Sequence, residues 1–444
     1  MTLQVAHDQT SAAWLEREVE AIQRIHDPLY GLTDEAKRGV NHALEAKELS
    51  REEAYLLVKT SARELPSLCS AASLVRDRGR GRTVTFSPKV FIPLTRLCRD
   101  VCGYCTFRQS PAEAEGLYMR PEEVLAVARA GEKLGCTEAL FTLGERPEQR
   151  YPEARAWLRQ HGYRTTLEYL QQASALVLQE TSLFPHGNPG TMSRREMAHL
   201  KDVNASMGIM LENISQRLCE PGGPHALAPS KWPTLRLQTL EVAGELKIPF
   251  TTGILIGIGE TLEERVESLL ALRELHRRYG HLQEVIIQNF RAKPHTPMGE
   301  APEPGVADLL WTVAAARLIL GPDFNLQVPP NLSARDYPLF LLAGINDWGG
   351  ISPLTIDYVN PEAPWPQISE LRQRTEALGF TLRPRLPVYP EYIVERDGYL
   401  PLSLRERITS TADGAGYVRG GIERYAGTYG RDDQSTPGTS AKRH

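Results

Sequence analysis

Three of the six cysteines of this chain fall in one short stretch, Pro93-Leu-Thr-Arg-Leu-Cys98-Arg-Asp-Val-Cys102-Gly-Tyr-Cys105-Thr-Phe107. Their C-x3-C-x2-C spacing has three chemical readings. On a helix, positions 98, 102 and 105 would form one buried stripe of small apolar thiols. Against that, Gly103 is a poor helix residue, Pro93 and Thr95 favour an extended entry, and Arg99 and Asp100 are charged. A structural zinc site needs four closed nitrogen or sulfur ligands, and no fourth Cys or His lies nearby. Three thiolates suit a [4Fe-4S] cluster in which one iron has no protein ligand and is open to a small molecule. An open iron implies chemistry at the cluster rather than electron transfer alone.

The composition bounds what can surround such a loop. A chain of 444 residues, 41% hydrophobic and 24% charged, can bury a large core. A net charge of -4 gives no electrostatic case for nucleic acid or for an anionic membrane. No apolar run approaches the roughly 20 residues of a bilayer span. The stretch Met1 to Glu20 lacks the apolar core of a signal peptide. Cys69, Cys136 and Cys219 stand alone, so the cysteines do not resemble a disulfide framework. The expectation is a soluble cytoplasmic protein.

The elements that must position the loop follow from patterning. Residues 1–82 read as a helical extension: Leu15, Val19, Ile22 and Ile25 share a face, and Ser50-Arg-Glu-Glu53 is a capping box. The basic run Arg76-Asp-Arg-Gly-Arg-Gly-Arg82 reads as a solvated turn. From Val84 strands and helices alternate. Strands are predicted at Val84–Ile92, Glu138–Leu143, Ser182–Pro185, Ala205–Leu211, Ile248–Ile258, Val285–Gln288 and Leu326–Val328. An eighth is placed around Leu342–Ile345. Pro121, Ser193 and Thr261 open the crossover helices. This is the grammar of parallel strands in an α/β protein. Residues 84 to about 360 are close to the roughly 250 of a (β/α)8 TIM-type barrel, within a barrel domain taken as 83–395, with a six-stranded partial barrel as the alternative. Residues 396–444 form a C-terminal extension, ending in a tail from about Gly427 with too little apolar content to fold.

In such a barrel the loops after the strands carry the chemistry. After strand one come the cysteines; after two, Gly144-Glu145; after three, His186-Gly-Asn188. Glu212-Asn213 follow strand four, and Gly257 to Glu260 strand five. Asn289, Arg291 and His295 follow strand six, Asn331 strand seven, and Asn346-Asp347 the eighth.

The cysteine loop resembles the cluster motif of the radical S-adenosylmethionine (SAM) enzymes. The longer string Val90 to Phe107 is similar to one branch, the cyclising subunit of the synthase of the deazaflavin FO. The resemblance implies a [4Fe-4S] cluster on Cys98, Cys102 and Cys105, with SAM on its open iron. Leu143-Gly144-Glu145 occupies the place of the family's Gly-Gly-Glu motif for the SAM amino group; Leu143 replaces the first glycine, so only Gly144 and Glu145 carry over. Gly253-Ile-Leu-Ile-Gly257-Ile258-Gly-Glu260 resembles the adenine-contacting motif, where two glycines suggest close backbone approach. Tyr104 matches an aromatic near adenine, and Glu212 a polar contact to the ribose or methionine part. His186 and Asn188, in Pro185-His-Gly-Asn-Pro-Gly190, match a branch segment. An imidazole that titrates near neutrality makes His186 the expected group for substrate contact or proton transfer. Glu145-Arg-Pro147 and Pro329-Pro-Asn-Leu332 also resemble the branch, and the likeness spans roughly residues 84 to 390.

What the branch implies is ring closure of a hydroxybenzyl adduct of a ribityl-diaminouracil, with release of ammonia. With one cysteine motif, the chain is expected to take that adduct from a separate sister enzyme and to need an electron donor. Two other readings share part of the pattern. One is radical SAM chemistry on another small metabolite, as in biotin or thiamine biosynthesis. The other is a metal-binding module without catalysis.

Overall fold

The computed structural model describes residues 12–425, with the side chains of 12–15 left out. Its sheet has nine parallel strands: β1 (Thr83–Thr95), β2 (Glu138–Leu143), β3 (Phe184–Asn188), β4 (Ser206–Gly208), β5 (Phe250–Ile256), β6 (Leu282–Asn289), β7 (Leu326–Gln327), β8 (Asp347–Ile351) and β9 (Thr381–Pro384). Each of β1 to β7 pairs with the next, and β1 pairs with both β2 and β8. The ring is therefore a closed eight-stranded barrel, and the partial barrel is set aside. β9 adds to the lower part of β1, with Thr83–Phe86 against Thr381–Pro384.

The helices between strands start and stop where local chemistry requires. Proline opens Pro121–Lys133, and Gly135 beyond its end takes φ 80°. Ser193 with Glu196 and Thr261 with Glu264 form reciprocal capping boxes, and Gly280 ends the second helix in the left-handed region. The helix Val306–Leu320 is apolar on every side and buried throughout, as an enclosed helix should be. The N-terminal helix Leu65–Arg80 packs on it, and Trp311 Nε1 donates to Thr60 Oγ1 at 2.8 Å.

Three expectations need correction. Arg76 lies inside the Leu65–Arg80 helix, not in a solvated turn, and its buried guanidinium donates to the carbonyls of Leu341 and Ile345. The apolar run Leu342–Ile345 is not a strand. It ends the helix Pro338–Leu342, and the eighth strand begins at Asp347. Strand three extends to Asn188, so His186 and Asn188 belong to β3 and not to a loop beyond it. The tail expected to be unfolded from Gly427 lies outside the described residues.

After β9 the chain crosses beneath the barrel. Leu386, Val388, Tyr389, Tyr392, Leu404 and Ile408 form a second apolar cluster with Phe184 and Ala205. The barrel is thereby closed below and open only at the ends of the strands that carry the loops. Among the described residues no helix is long and apolar enough to cross a membrane.

Burial holds several histidines neutral. It pushes His186 down to about 4, and His225, His276 and His281 to about 3. Unfolded imidazole titrates near ~6.5. The unfolded chain therefore takes up protons first, and stability present above pH ~6.5 is lost as pH falls towards the folded values. The melting temperature should drop steadily between pH 7 and pH 5, and His281→Phe should flatten that slope. A melting temperature independent of pH over this window would contradict the burial of these rings.

Candidate active site

The cysteine loop leaves the upper end of β1 and contains no helix, which disposes of the helical stripe. Its shape is held by the protein around it. Arg96 donates to the carbonyls of Thr106 and Phe107 at 3.1 and 3.0 Å. The N–H groups of Val101 and Gly103 donate to Leu227 and Pro224, at 2.9 and 2.7 Å, and the Met298 N–H donates to Gly103 at 2.9 Å. The Ser230 hydroxyl donates to the Asp100 carboxylate.

Cys98, Cys102 and Cys105 line one cavity of about 370 Å³ that runs down the barrel, a volume typical of ligand sites. Among the described residues no three His, Cys, Asp or Glu side chains close on a single-ion site. Burial, with Asp100 nearby, pushes the Cys98 thiol up to about 12, and burial also raises Cys102. These thiols stay protonated unless a metal displaces the proton. The Glu145 N–H already donates to Cys98 Sγ at 3.2 Å. A sulfur-rich wall with a backbone donor aimed at one sulfur suits an iron–sulfur cluster.

Gly144 and Glu145 follow β2 and touch the same loop. A Cβ on Gly144 would lie 2.6 Å from the Leu97 carbonyl carbon and 2.8 Å from Cys98 Cα. Only glycine permits this approach. The Glu145 carboxylate accepts from the Thr191 hydroxyl at 2.6 Å and from its N–H at 3.1 Å. Burial raises its pKa, with Thr191 and Arg236 opposing. Arg99 and Arg146 stand off at 3.9 and 3.8 Å. Glu145 is thus a buried acceptor on the cavity wall, with its two nearest arginines at the outer limit of an ion pair.

Glu212, beyond β4, has a left-handed backbone at φ 65° and an ion pair with Lys231. Burial alone would raise its carboxyl, but the charges of Lys231 and Arg236 hold it below the usual range. Tyr104 is partly buried, with its hydroxyl 2.9 Å from His225 Nε2. Both residues line the cavity, as do His186 and Asn188.

Gly257 and Ile258 do not line it. Their N–H groups donate to the Glu260 carboxylate at 2.8 and 2.9 Å, and Arg265 fixes that carboxylate at 2.7 Å. Gly257, at φ 90°, packs where a Cβ would meet Pro304 at 2.5 Å; Gly253 allows β5 to lie against Ile286 of β6. Both glycines therefore answer to packing, and Leu255 is the residue of β5 that reaches the cavity. Burial pushes the His186 pKa down to about 4, so its imidazole is neutral at neutral pH: it can accept a proton only weakly and is no general acid there. Sequence reasoning missed Lys231, Arg236, Lys89, Glu284 and Arg385, which all line the cavity. A charge inside an otherwise apolar strand was the available signal for Lys89 and Glu284; Lys231, in a short turn, and Arg236, in the helix Pro233–Glu245 that follows it, carried none.

Residues 92–272 match the Radical SAM superfamily, the class that this barrel and its cysteine loop define. The chain is 56% identical over 336 residues to the 7,8-didemethyl-8-hydroxy-5-deazariboflavin synthase of Methanopyrus kandleri, covering 76% of this chain and all of that one. It belongs to this family, the FO synthases, which make the deazaflavin FO, and it is a radical SAM enzyme. It is also 49% identical to the FO synthase of Streptomyces coelicolor, across 87% of this chain but only 46% of that longer protein. Among solved structures, methylornithine synthase (PylB) superposes with a TM-score of 0.61 at 19% identity, over 78% of this chain and 97% of that one. The hydrogenase maturase HydG from Carboxydothermus hydrogenoformans gives 0.63 at 18%, over 85% of each. These two show the barrel fold. Membership of the superfamily carries a [4Fe-4S] cluster and SAM as its general cofactors.

Proposed function

We propose that this chain performs the cyclising half of FO synthesis, closing the central ring of the hydroxybenzyl–ribityl-diaminouracil adduct with loss of ammonia. The observation that carries the reading is the cavity shared by the cysteine loop, Glu145, Glu212 and the deeper barrel residues Lys89, Glu138 and Glu284. The branch-specific segments Glu145-Arg-Pro147 and Pro329-Pro-Asn-Leu332 support this half over the coupling half.

Cys98, Cys102 and Cys105 hold the cluster in this reading, and Gly144 and Glu145 receive the SAM amino group. Glu212, fixed by Lys231, and Tyr104, fixed by His225, meet the remainder of SAM. Held by these residues, a reduced cluster would supply one-electron cleavage of the SAM carbon–sulfur bond to methionine and a 5'-deoxyadenosyl radical, the reagent for hydrogen abstraction from the adduct. The chain's own residues orient the two molecules and exclude water. A separate sister enzyme supplies the adduct, and an external donor supplies the electron.

An anaerobic assay with SAM, reductant and the sister enzyme's product tests this by following deoxyadenosine, ammonia and deazaflavin fluorescence together. Deoxyadenosine without fluorescence would leave a radical SAM enzyme with a different substrate. Glu145→Gln should weaken SAM binding by about tenfold or more, the cost of a lost charge-assisted hydrogen bond, while iron content stays at the wild-type level. Equal SAM affinity in the two proteins would remove Glu145 from the SAM site.

A further inference from the structure

The barrel interior changes character with depth. Inward residues run Glu138, Leu140, Thr142 along β2 and Glu284, Ile286, Gln288 along β6, all on the cavity. β1 repeats the pattern with Lys89 below Phe91. Successive inward layers are about 7 Å apart. An apolar belt thus separates the loop-borne polar groups above from a charged floor below. Barrel interiors are usually filled by branched aliphatic side chains, and buried ion pairs seldom stabilise more than apolar packing would. A charged floor facing open space calls for a ligand.

The hydrogen bonds of the floor define that ligand. Lys89 pairs with Glu138 at 2.8 Å; Arg385 pairs with Asp347 at 2.6 Å and with Glu284 at 3.2 Å. Both cations are committed to carboxylates, so the floor does not suit a phosphate or a carboxylate. The Ser206 hydroxyl donates to the Pro387 carbonyl at 2.7 Å, and His186 Nδ1 lies 2.7 Å from Ser206 Oγ. The Ser206 proton is spent on Pro387, so Nδ1–H must donate to Ser206, which leaves His186 Nε2 as a bare acceptor. Among the described residues Nε2 has no hydrogen-bond partner. The Glu138 and Glu284 carboxylates carry further lone pairs. Such an acceptor-rich, charge-compensated surface fits several hydroxyl groups on a neutral chain.

Resting on the cyclase reading above, we propose that Glu138, His186, Lys89 and Glu284 form the subsite for the ribityl chain. The flat ring system of the adduct then lies in the belt of Phe91, Leu140, Leu255 and Ile286, beneath the loop-borne groups. The ribityl hydroxyls donate to Glu138, Glu284 and His186 Nε2 and accept from Lys89. His186 is a positioning residue of the substrate tail and not a proton carrier.

The test compares two fluorescent ligands on the wild-type holoenzyme: FO itself and the same deazaflavin ring bearing an ethyl group in place of the ribityl chain. FO should bind at least about tenfold tighter, the worth of one or two hydrogen bonds to charged groups. His186→Leu and Glu138→Gln should remove most of that difference while leaving the truncated ligand's affinity unchanged. Equal binding of the two ligands to the wild type would overturn the subsite without recourse to any variant. So would variants that weaken both ligands alike. Formation of FO in the anaerobic assay is scored separately. If FO forms but the ligands bind alike, the floor assignment alone fails; if no FO forms, the cyclase reading fails first.

Discussion

Alanine at Cys98, Cys102 or Cys105 is expected to abolish deoxyadenosine formation, with each variant losing most of its iron after anaerobic reconstitution. A cluster held by three thiolates has no spare protein ligand, so the loss of one leaves two irons without a protein sulfur. Two of the other cysteines provide the control. Cys69 is fully buried in the apolar core, where burial raises its thiol far above the ordinary range. Cys219 is buried with its sulfur 3.6 Å from the Lys231 carbonyl. Alanine at Cys69 removes one buried atom and should cost about 1 kcal/mol of stability, and neither control should change iron content. Iron analysis, the visible absorption spectrum and deoxyadenosine yield measured on the same samples decide the matter. Full activity in any one of the first three variants would sink the cluster assignment.

The legibility of the chain was uneven, for physical reasons. β2 was delimited correctly because Glu138 to Leu143 is apolar between its ends and follows a glycine-terminated helix. β3 was cut short because its upper half, His186-Gly-Asn188, is polar or small, and a strand facing a ligand cavity need not alternate apolar and polar residues. β8 escaped altogether. Asp347-Trp-Gly-Gly-Ile351 holds a buried aspartate, and its glycines serve neighbours: a Cβ on Gly350 would run into Lys89, and one on Gly349 into Gln327. Those contacts join residues far apart in sequence, so no local pattern reveals them. The site divides in the same way. Cys98 to Cys105 and Gly144-Glu145 are contiguous motifs that can be read in the sequence as they stand; the pairs Glu212–Lys231 and Lys89–Glu138 exist only after folding. The glycines of strand five show the difficulty, since a glycine demanded by packing looks the same in sequence as one demanded by a ligand.

Gly144→Ala should be as damaging as the loss of a cysteine, although it removes no functional group. The segment after β2 is fastened to the cysteine loop by three backbone donors. Gly144 N–H donates to Thr95 at 3.0 Å, Glu145 N–H to Cys98 Sγ at 3.2 Å, and Arg99 N–H to Glu145 at 2.7 Å. A methyl group on Gly144 points into the Leu97 carbonyl and towards Cys98 Cα, which are backbone atoms with no rotamer to escape by. The two segments must separate, and Cys98 and Glu145 move apart with them. Overpacking of this kind costs about 1–3 kcal/mol, which a barrel of this size should survive. Misplacing the reacting groups by about 1 Å can cost a hundredfold in rate. The expected result is a folded protein with a melting temperature close to the wild type, at least about a hundredfold less SAM cleavage, and weakened SAM binding. Gly103→Ala tests the specificity of this argument within the same loop. Its Cβ would meet Met298 and Pro224 at 3.4 Å, an ordinary contact, and cleavage should fall by less than about threefold. Wild-type cleavage by Gly144→Ala would show that the close approach of the two segments is not what holds the site together.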